Sequence, residues 1–152
     1  MYEINKIYQK HVINELKVLT NHDNVPLNQD KVAVKILAFL SDLGNVGEES
    51  HCFSFWDQSN IDNVALFDEY VEGLSMLLSV GFELKIDKLK DYQEISNNDS
   101  LIDCFYKVYQ SALKINQSYA FEDYQNTIDD YFTLGFKLGF SIDEILEKYA
   151  NK

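Results

Sequence analysis

The sequence predicts an all-α protein, a helical bundle of five to six helices forming one domain over residues 1–152. Three observations predict it. Apolar residues recur at three- and four-residue intervals through several long stretches. No stretch alternates apolar and polar residues over enough positions to make a strand. Between the periodic stretches lie runs of Asn, Asp and Ser, one of which holds the only proline, Pro26. With 46% hydrophobic and 25% charged residues, the chain is long enough for a core that needs neither disulfides nor structural zinc.

The first helix covers residues 3–20, where Ile4, Ile7, Tyr8, Val12, Leu16 and Leu19 recur at helical spacing. Gln9 lies close to this apolar face, either as a boundary residue or as a ligand contact. His11 is equally ambiguous and is assigned no role. Residues 20–30 read as a loop. The second helix begins between Leu27 and Asp30 and runs through Val32, Ile36, Leu37 and Leu40, and Asp42 extends the same face. Gly44 and Gly47 lower helix propensity there, marking either a close approach or a fraying end. Phe53, Phe55 and Trp56 follow as an aromatic cluster that seals a helix pair or walls a flat base or sugar.

SNIDN at 59–63 is a helix start, with Asn60 or Asp62 as the cap of a third helix over about 62–80. The stretch from Leu74 to Phe82 is too apolar for the outside of a small protein and too short to cross a bilayer. A polar connector follows, with room for a short helical turn near Leu89. The fourth helix spans roughly 99–115 and carries Leu101, Ile102, Phe105, Tyr106, Val108, Tyr109, Ala112 and Leu113, with a break at Asn116 to Ser118. The fifth spans about 119–137. A short sixth starts at Ser141, where Ser141 and Glu144 have capping-box spacing.

Charge narrows the function. There are 13 basic residues, all lysine, against 25 acidic ones, a net charge of −12. Such a chain is unsuited to binding polymeric nucleic acid, which requires many phosphates to be neutralised. An anionic small-molecule substrate would need a cation to mediate. No glycine-rich phosphate loop, HExxH or GxSxG occurs. Cys52 and Cys104 fit no zinc framework and read as core residues. With no secretory segment before Tyr2 and no membrane span, a cytoplasmic setting is expected.

The chemistry concentrates in residues 39–82. Asp42 and Asn45 stand three apart in one helix, and Glu69 and Glu72 three apart in the next. Each pair shares a helix face, rising about 4.5 Å along its axis. Glu49 lies two turns beyond Asp42. Acidic pairs also occur on solvated surfaces, but Glu69 and Glu72 interrupt an otherwise apolar helix, and buried acids need partners or a metal. Oxygen ligands converging between two helices are what Mg²⁺ takes, and Mg²⁺ in turn holds phosphates.

Two blocks carry a family resemblance. DLGNVGEESHCFSFW at 42–56 is similar to a pattern close to ELGELANE-T-R-x-FKYW, and EYVEGLSMLLSVG at 69–81 to EYVDGLHFLLSLG. A weaker match is LGFSIDEILEKY at 138–149. The chain thus resembles the all-α dimeric dUTPases, relatives of the MazG-like nucleoside triphosphate pyrophosphohydrolases. The resemblance implies Mg²⁺-dependent hydrolysis of dUTP, and of dUDP, to dUMP by a homodimer. It puts Asp42, Asn45, Glu69 and Glu72 at metal-ligand positions, Glu49 at a further acidic position, and Gln9 and Trp56 at the nucleoside pocket. Lys152 matches the first lysine of a tail that closes over the phosphates.

The departures lie in the same site. Asp42 and Asn45 stand where the family has glutamates, Glu72 where it has aspartate, and Glu48 where it has asparagine. Ser54, His51 and Ser75 replace a lysine, an arginine and a histidine. These losses leave a second reading open: a catalytically inert relative that binds a nucleotide or a protein partner. A structural helical protein without a ligand is the third. A dimer is expected in each case, through apolar surface offered by the fourth helix and by Tyr119, Phe121, Tyr124, Tyr131, Phe132 and Phe136 of the fifth.

Overall fold

The computed structural model describes residues 4–21, 30–56, 59–92 and 97–151. Six helices account for the fold: α1 (Asn5–Asn21), α2 (Lys31–Ser50), α3 (Asn63–Glu83), α4 (Leu101–Ser118), α5 (Phe121–Lys137) and α6 (Ile142–Ala150). No strand occurs among the described residues, as the all-α reading expects. The expected loop at 20–30 falls mostly outside the described residues, as does Lys152.

Local chemistry sets most boundaries. Asp62, not Asn60, caps α3, its Oδ1 accepting from the backbone N–H groups of Val64 and Ala65 at 3.1 Å each. Asp30 caps α2 through Ala33 N, and Ser141 caps α6 through Glu144 N. Ser100 and Asp103 make a reciprocal capping box at the start of α4. Two expectations need correction, and an open alternative is decided. Asn116 to Ser118 do not break α4; the helix runs through them and stops where Tyr119 turns left-handed at φ 52°. The segment around Leu89 makes no helical turn, and Leu89 is buried. Gly44 and Gly47 do not fray α2, which continues to Ser50 and ends at a left-handed His51. Packing over this stretch, with Leu43 and Val46 fully buried, outweighs the propensity cost of the glycines.

The helices pack as two hairpins, α2 on α3 and α4 on α5, with further contacts of α2 on α4 and α3 on α5. α1 lies on α3, and α6 touches α1, α3 and α5. α3 is central. Leu66, Tyr70, Val71, Leu74, Leu77, Leu78 and Val80 are all buried, in keeping with the apolar run in the sequence. Three aromatic residues of α5 are also core: Tyr124, Tyr131 and Phe132 are fully buried. For these three the expectation that they supply surface for a second copy does not hold, since α5 packs on α4 and α3; Tyr119 is 46% exposed, and Phe121 and Phe136 are half-buried.

α3 and α5 interlock through tyrosines seated over glycines. Tyr70 and Tyr131 stack at 4.4 Å with an 8° interplanar angle. The Tyr70 hydroxyl donates to Tyr131 O at 2.7 Å, and the Tyr131 hydroxyl donates to Tyr70 O at 2.6 Å. A Cβ on Gly73 would stand 2.3 Å from Tyr131 Oη, and one on Gly135 2.4 Å from Tyr70 Oη. Only glycine admits these hydroxyls. Two turns along, Tyr124 Oη donates to Leu77 O at 2.8 Å in the same manner. No described helix is long and apolar enough to cross a membrane.

Candidate active site

α2 turns Phe39, Leu43 and Val46 inward, which leaves Asp42, Asn45 and Glu49 along the flank of its buried stripe. α3 packs beside it with Glu69 half-buried and Glu72 exposed. Asp42 and Glu49 are half-buried and Asn45 is exposed. The two helices approach closely at Asp42, whose Cβ would lie 3.8 Å from a Cβ built on Gly73.

The electrostatics show which acids come together. The Glu69 carboxyl is held above its usual range, first by desolvation and then by the charges of Asp42, Glu49, Glu72 and Asp68. Burial raises Tyr131 well above its ordinary value, and Asp42 and Glu69 add to that. So Glu69 lies within electrostatic reach of Asp42 and Glu49 across the α2–α3 seam and of Glu72 on its own helix, and Tyr131 senses Asp42 and Glu69. The donor set of these acids is all oxygen, the kind Mg²⁺ takes, and a divalent cation would relieve the repulsion recorded at Glu69. Among the described residues, no group of three or more His, Cys, Asp or Glu side chains is closed up far enough to hold an ion. The carboxylates converge without closing.

The other expected site residues lie elsewhere. Gln9 sits at the far end of α3, lining a cavity of about 380 Å³ with Phe82, Glu83 and Lys85. Its Nε2 donates to Asp87 O at 2.8 Å. Ten residues of helix separate Glu72 from Phe82, about 15 Å. Trp56 is 68% exposed and meets Phe55, itself 92% exposed, edge to face at 5.0 Å. The aromatic cluster therefore does not seal the helix pair. Phe53 alone turns in, against Gly47, and helps line an apolar cavity of about 360 Å³ with Leu43, Gly44, Phe105 and Tyr106. Leu43, Gly44 and Gly47 place that cavity on the side of α2 away from the carboxylates.

Sequence reasoning left out His11, which proves to be buried at the junction of α1, α3 and α6. Its Nε2 lies 2.8 Å from Ser79 Oγ and 3.0 Å from Glu15 Oε1, and its Nδ1 bonds to the Tyr149 hydroxyl. Tyr149 also bonds with Ser75, the residue one turn beyond Glu72. Lys35 bridges Glu15 at 3.5 Å and Glu83 at 2.8 Å. Burial pushes the Glu15 carboxyl up, but hydrogen bonds from His11 and Ser79 and the Lys35 ammonium outweigh it and bring it down to about 2. The available signal was His11 standing four residues from both Ile7 and Glu15, on one helix face.

A family model described as dUTPase matches residues 3–152. No curated protein matches the chain, and no solved structure does. The family match covers all six helices and both hairpins, including the α2–α3 seam where the acids converge. The chain belongs to the all-α dUTPase family.

Proposed function

We propose that the protein hydrolyses a deoxynucleoside triphosphate, dUTP foremost, to the monophosphate and pyrophosphate with Mg²⁺. One observation supports the reading: Glu69 senses the charges of Asp42 and Glu49 across the α2–α3 seam and of Glu72 on its own helix, in a chain of this family. When bound, Mg²⁺ supplies the positive charge that offsets the triphosphate and makes water a better nucleophile. Asp42, Glu69 and Glu72 would hold it, with Asn45 contributing one neutral carbonyl oxygen where a carboxylate could bridge two ions.

Cations for the phosphates are few. Lys148 of α6 pairs with Asp68 at 3.5 Å and so stands at the rim beside Glu69. Lys152 is assigned to the same phosphate chain by the family pattern, and Gln9 and Trp56 to the nucleoside. The protein works as a homodimer in this reading. The surface for it is the outer face of α4, where Ile102, Tyr106 and Leu113 are exposed, together with Phe55 and Trp56.

Pyrophosphate release from a panel of deoxynucleoside triphosphates, with and without Mg²⁺, tests the activity against a Glu69→Ala/Glu72→Ala blank. Release with dUTP that vanishes in the blank and without metal is expected. Equal release by the blank refutes the assignment. The neutral Asn45 favours a second reading, an inert relative that binds nucleotide; no turnover of any nucleotide, with dUTP still bound, would identify it.

A further inference from the structure

Tyr131 belongs to α5 and carries none of the residue types that ligate Mg²⁺, yet it touches both helices that bear the carboxylates. Its ring meets Phe39 of α2, three residues before Asp42, edge to face at 5.3 Å and 76°. The other side of the ring stacks on Tyr70 of α3, the residue next to Glu69. Its hydroxyl donates to Tyr70 O at 2.6 Å and fills the notch above Gly73, the residue next to Glu72. The side chain is fully buried. One rigid aromatic group therefore fixes how far α3 is turned and slid relative to α2 at Tyr70 and Gly73, the residues that follow Glu69 and Glu72.

We infer that Tyr131 is the positioning residue of the acidic site: its hydroxyl, locked between Tyr70 O and Gly73, sets the register of α3 in which Glu69 and Glu72 face Asp42. This rests on the proposed metal-dependent reading for its consequence, but the register itself is a property of the unloaded protein. The reason is geometric. A carboxylate contributes to a hard-cation site only within a few tenths of an ångström of its place, and groups behind the ligands hold that place.

The structure contains its own control. Tyr124, two turns earlier on α5, is equally buried, donates to Leu77 O of the same helix at 2.8 Å, and fills the notch at Gly81. Its loss removes the same kind of bond between the same two helices, away from the acids. A merely structural role for Tyr131 would make Tyr131→Phe and Tyr124→Phe alike.

The experiment compares both variants with the parent protein in two measurements. Crystal structures without metal read the register directly. In Tyr131→Phe, Glu69 and Glu72 are expected to shift relative to Asp42, while Tyr124→Phe leaves them in place. Mn²⁺ titration followed by electron paramagnetic resonance reads the consequence. Affinity is expected to fall about 10- to 100-fold in Tyr131→Phe, the usual cost of losing a group behind the ligands, and to stay unchanged in Tyr124→Phe. Unmoved carboxylates in Tyr131→Phe, or equal changes in both variants, overturn the inference. A parent protein that neither binds Mn²⁺ nor hydrolyses dUTP removes the proposed function instead, and the crystal structures still decide the register.

Discussion

Gly73 and Gly44 lie on the two helices that bear the acidic residues, yet alanine should act on them in opposite directions. Gly→Ala inside a helix stabilises by about 0.8–1.0 kcal/mol through propensity alone. At Gly44 a Cβ would meet only Tyr109 Oη at 3.7 Å, ordinary contact, so Gly44→Ala should gain about 1 kcal/mol. At Gly73 the new Cβ would sit 2.3 Å from Tyr131 Oη and 3.2 Å from its Cζ. That ring cannot swing away, since Tyr70 stacks on it at 4.4 Å and Phe39 abuts its edge. Overpacking of this kind costs about 1–3 kcal/mol. Displacing the hydroxyl also removes the 2.6 Å bond to Tyr70 O, about 1 kcal/mol. Set against the propensity gain, the net loss is about 2 kcal/mol, or roughly 4–8 °C in Tm at this chain length.

Urea unfolding followed by far-ultraviolet circular dichroism measures both variants under one condition. Gly73→Ala should unfold at lower urea than the parent, and Gly44→Ala at higher urea. A double variant with Tyr131→Phe should recover part of the Gly73→Ala loss, because the closest clash is with the removed oxygen. A Gly73→Ala protein as stable as the parent would show that the notch is not tight and would refute the interlock on which the α3 register depends.

Glu15 has its carboxyl lowered to about 2 from an ordinary 4.5, so it favours the folded state above the unfolded value and loses that contribution as pH falls toward 2. Urea midpoints between pH 5 and 2 should therefore fall less steeply in Glu15→Gln than in the parent, and parallel slopes would disprove the assignment. Glu69 is raised by burial and then by like charges, both of which disfavour its ionised form, so Glu69→Gln should stabilise the metal-free protein by up to about 1 kcal/mol, a few tenths of it for each neighbouring acid. Thermal melts in EDTA check this, and a lower Tm in the variant contradicts the convergence of the acids. Asp62→Ala removes the cap of two N–H groups at the start of α3 and should cost about 1 kcal/mol by chemical denaturation; no change would mean that solvent caps the helix equally well.

Much of this molecule was legible along the chain. Helices are local objects, and the apolar spacing of α1, α3 and α5 marked them within a few residues, while the SNIDN turn marked the start of α3 and Ser141 that of α6. The i, i+3 spacing of Asp42 with Asn45 and of Glu69 with Glu72 put each pair on one face without reference to any other part of the chain. Periodicity tells which face of a helix is apolar, not what covers it. For that reason Tyr124, Tyr131 and Phe132 read as surface and proved to be core, and the sequence left Phe55 and Trp56 open between a seal and a pocket wall, where the fold exposes both. Propensity likewise could not choose between a close approach and a fraying end at Gly44 and Gly47, because their helix is held by side chains from elsewhere.

Three features were decided only by tertiary structure. Glu69 meets Asp42 and Glu49 because α2 and α3 pack as a hairpin, and the charge it senses has no meaning before they do. His11 acquires Ser79 and Tyr149, 68 and 138 residues away, when α1 and α6 dock on α3. Tyr70 and Tyr131 exchange hydrogen bonds across 61 residues, each over a glycine that carries no sign of its partner in the sequence. A chain specifies its helices by what each residue does to its own backbone; which side chain fills which notch depends on the distance between helices, and that exists only in the folded protein.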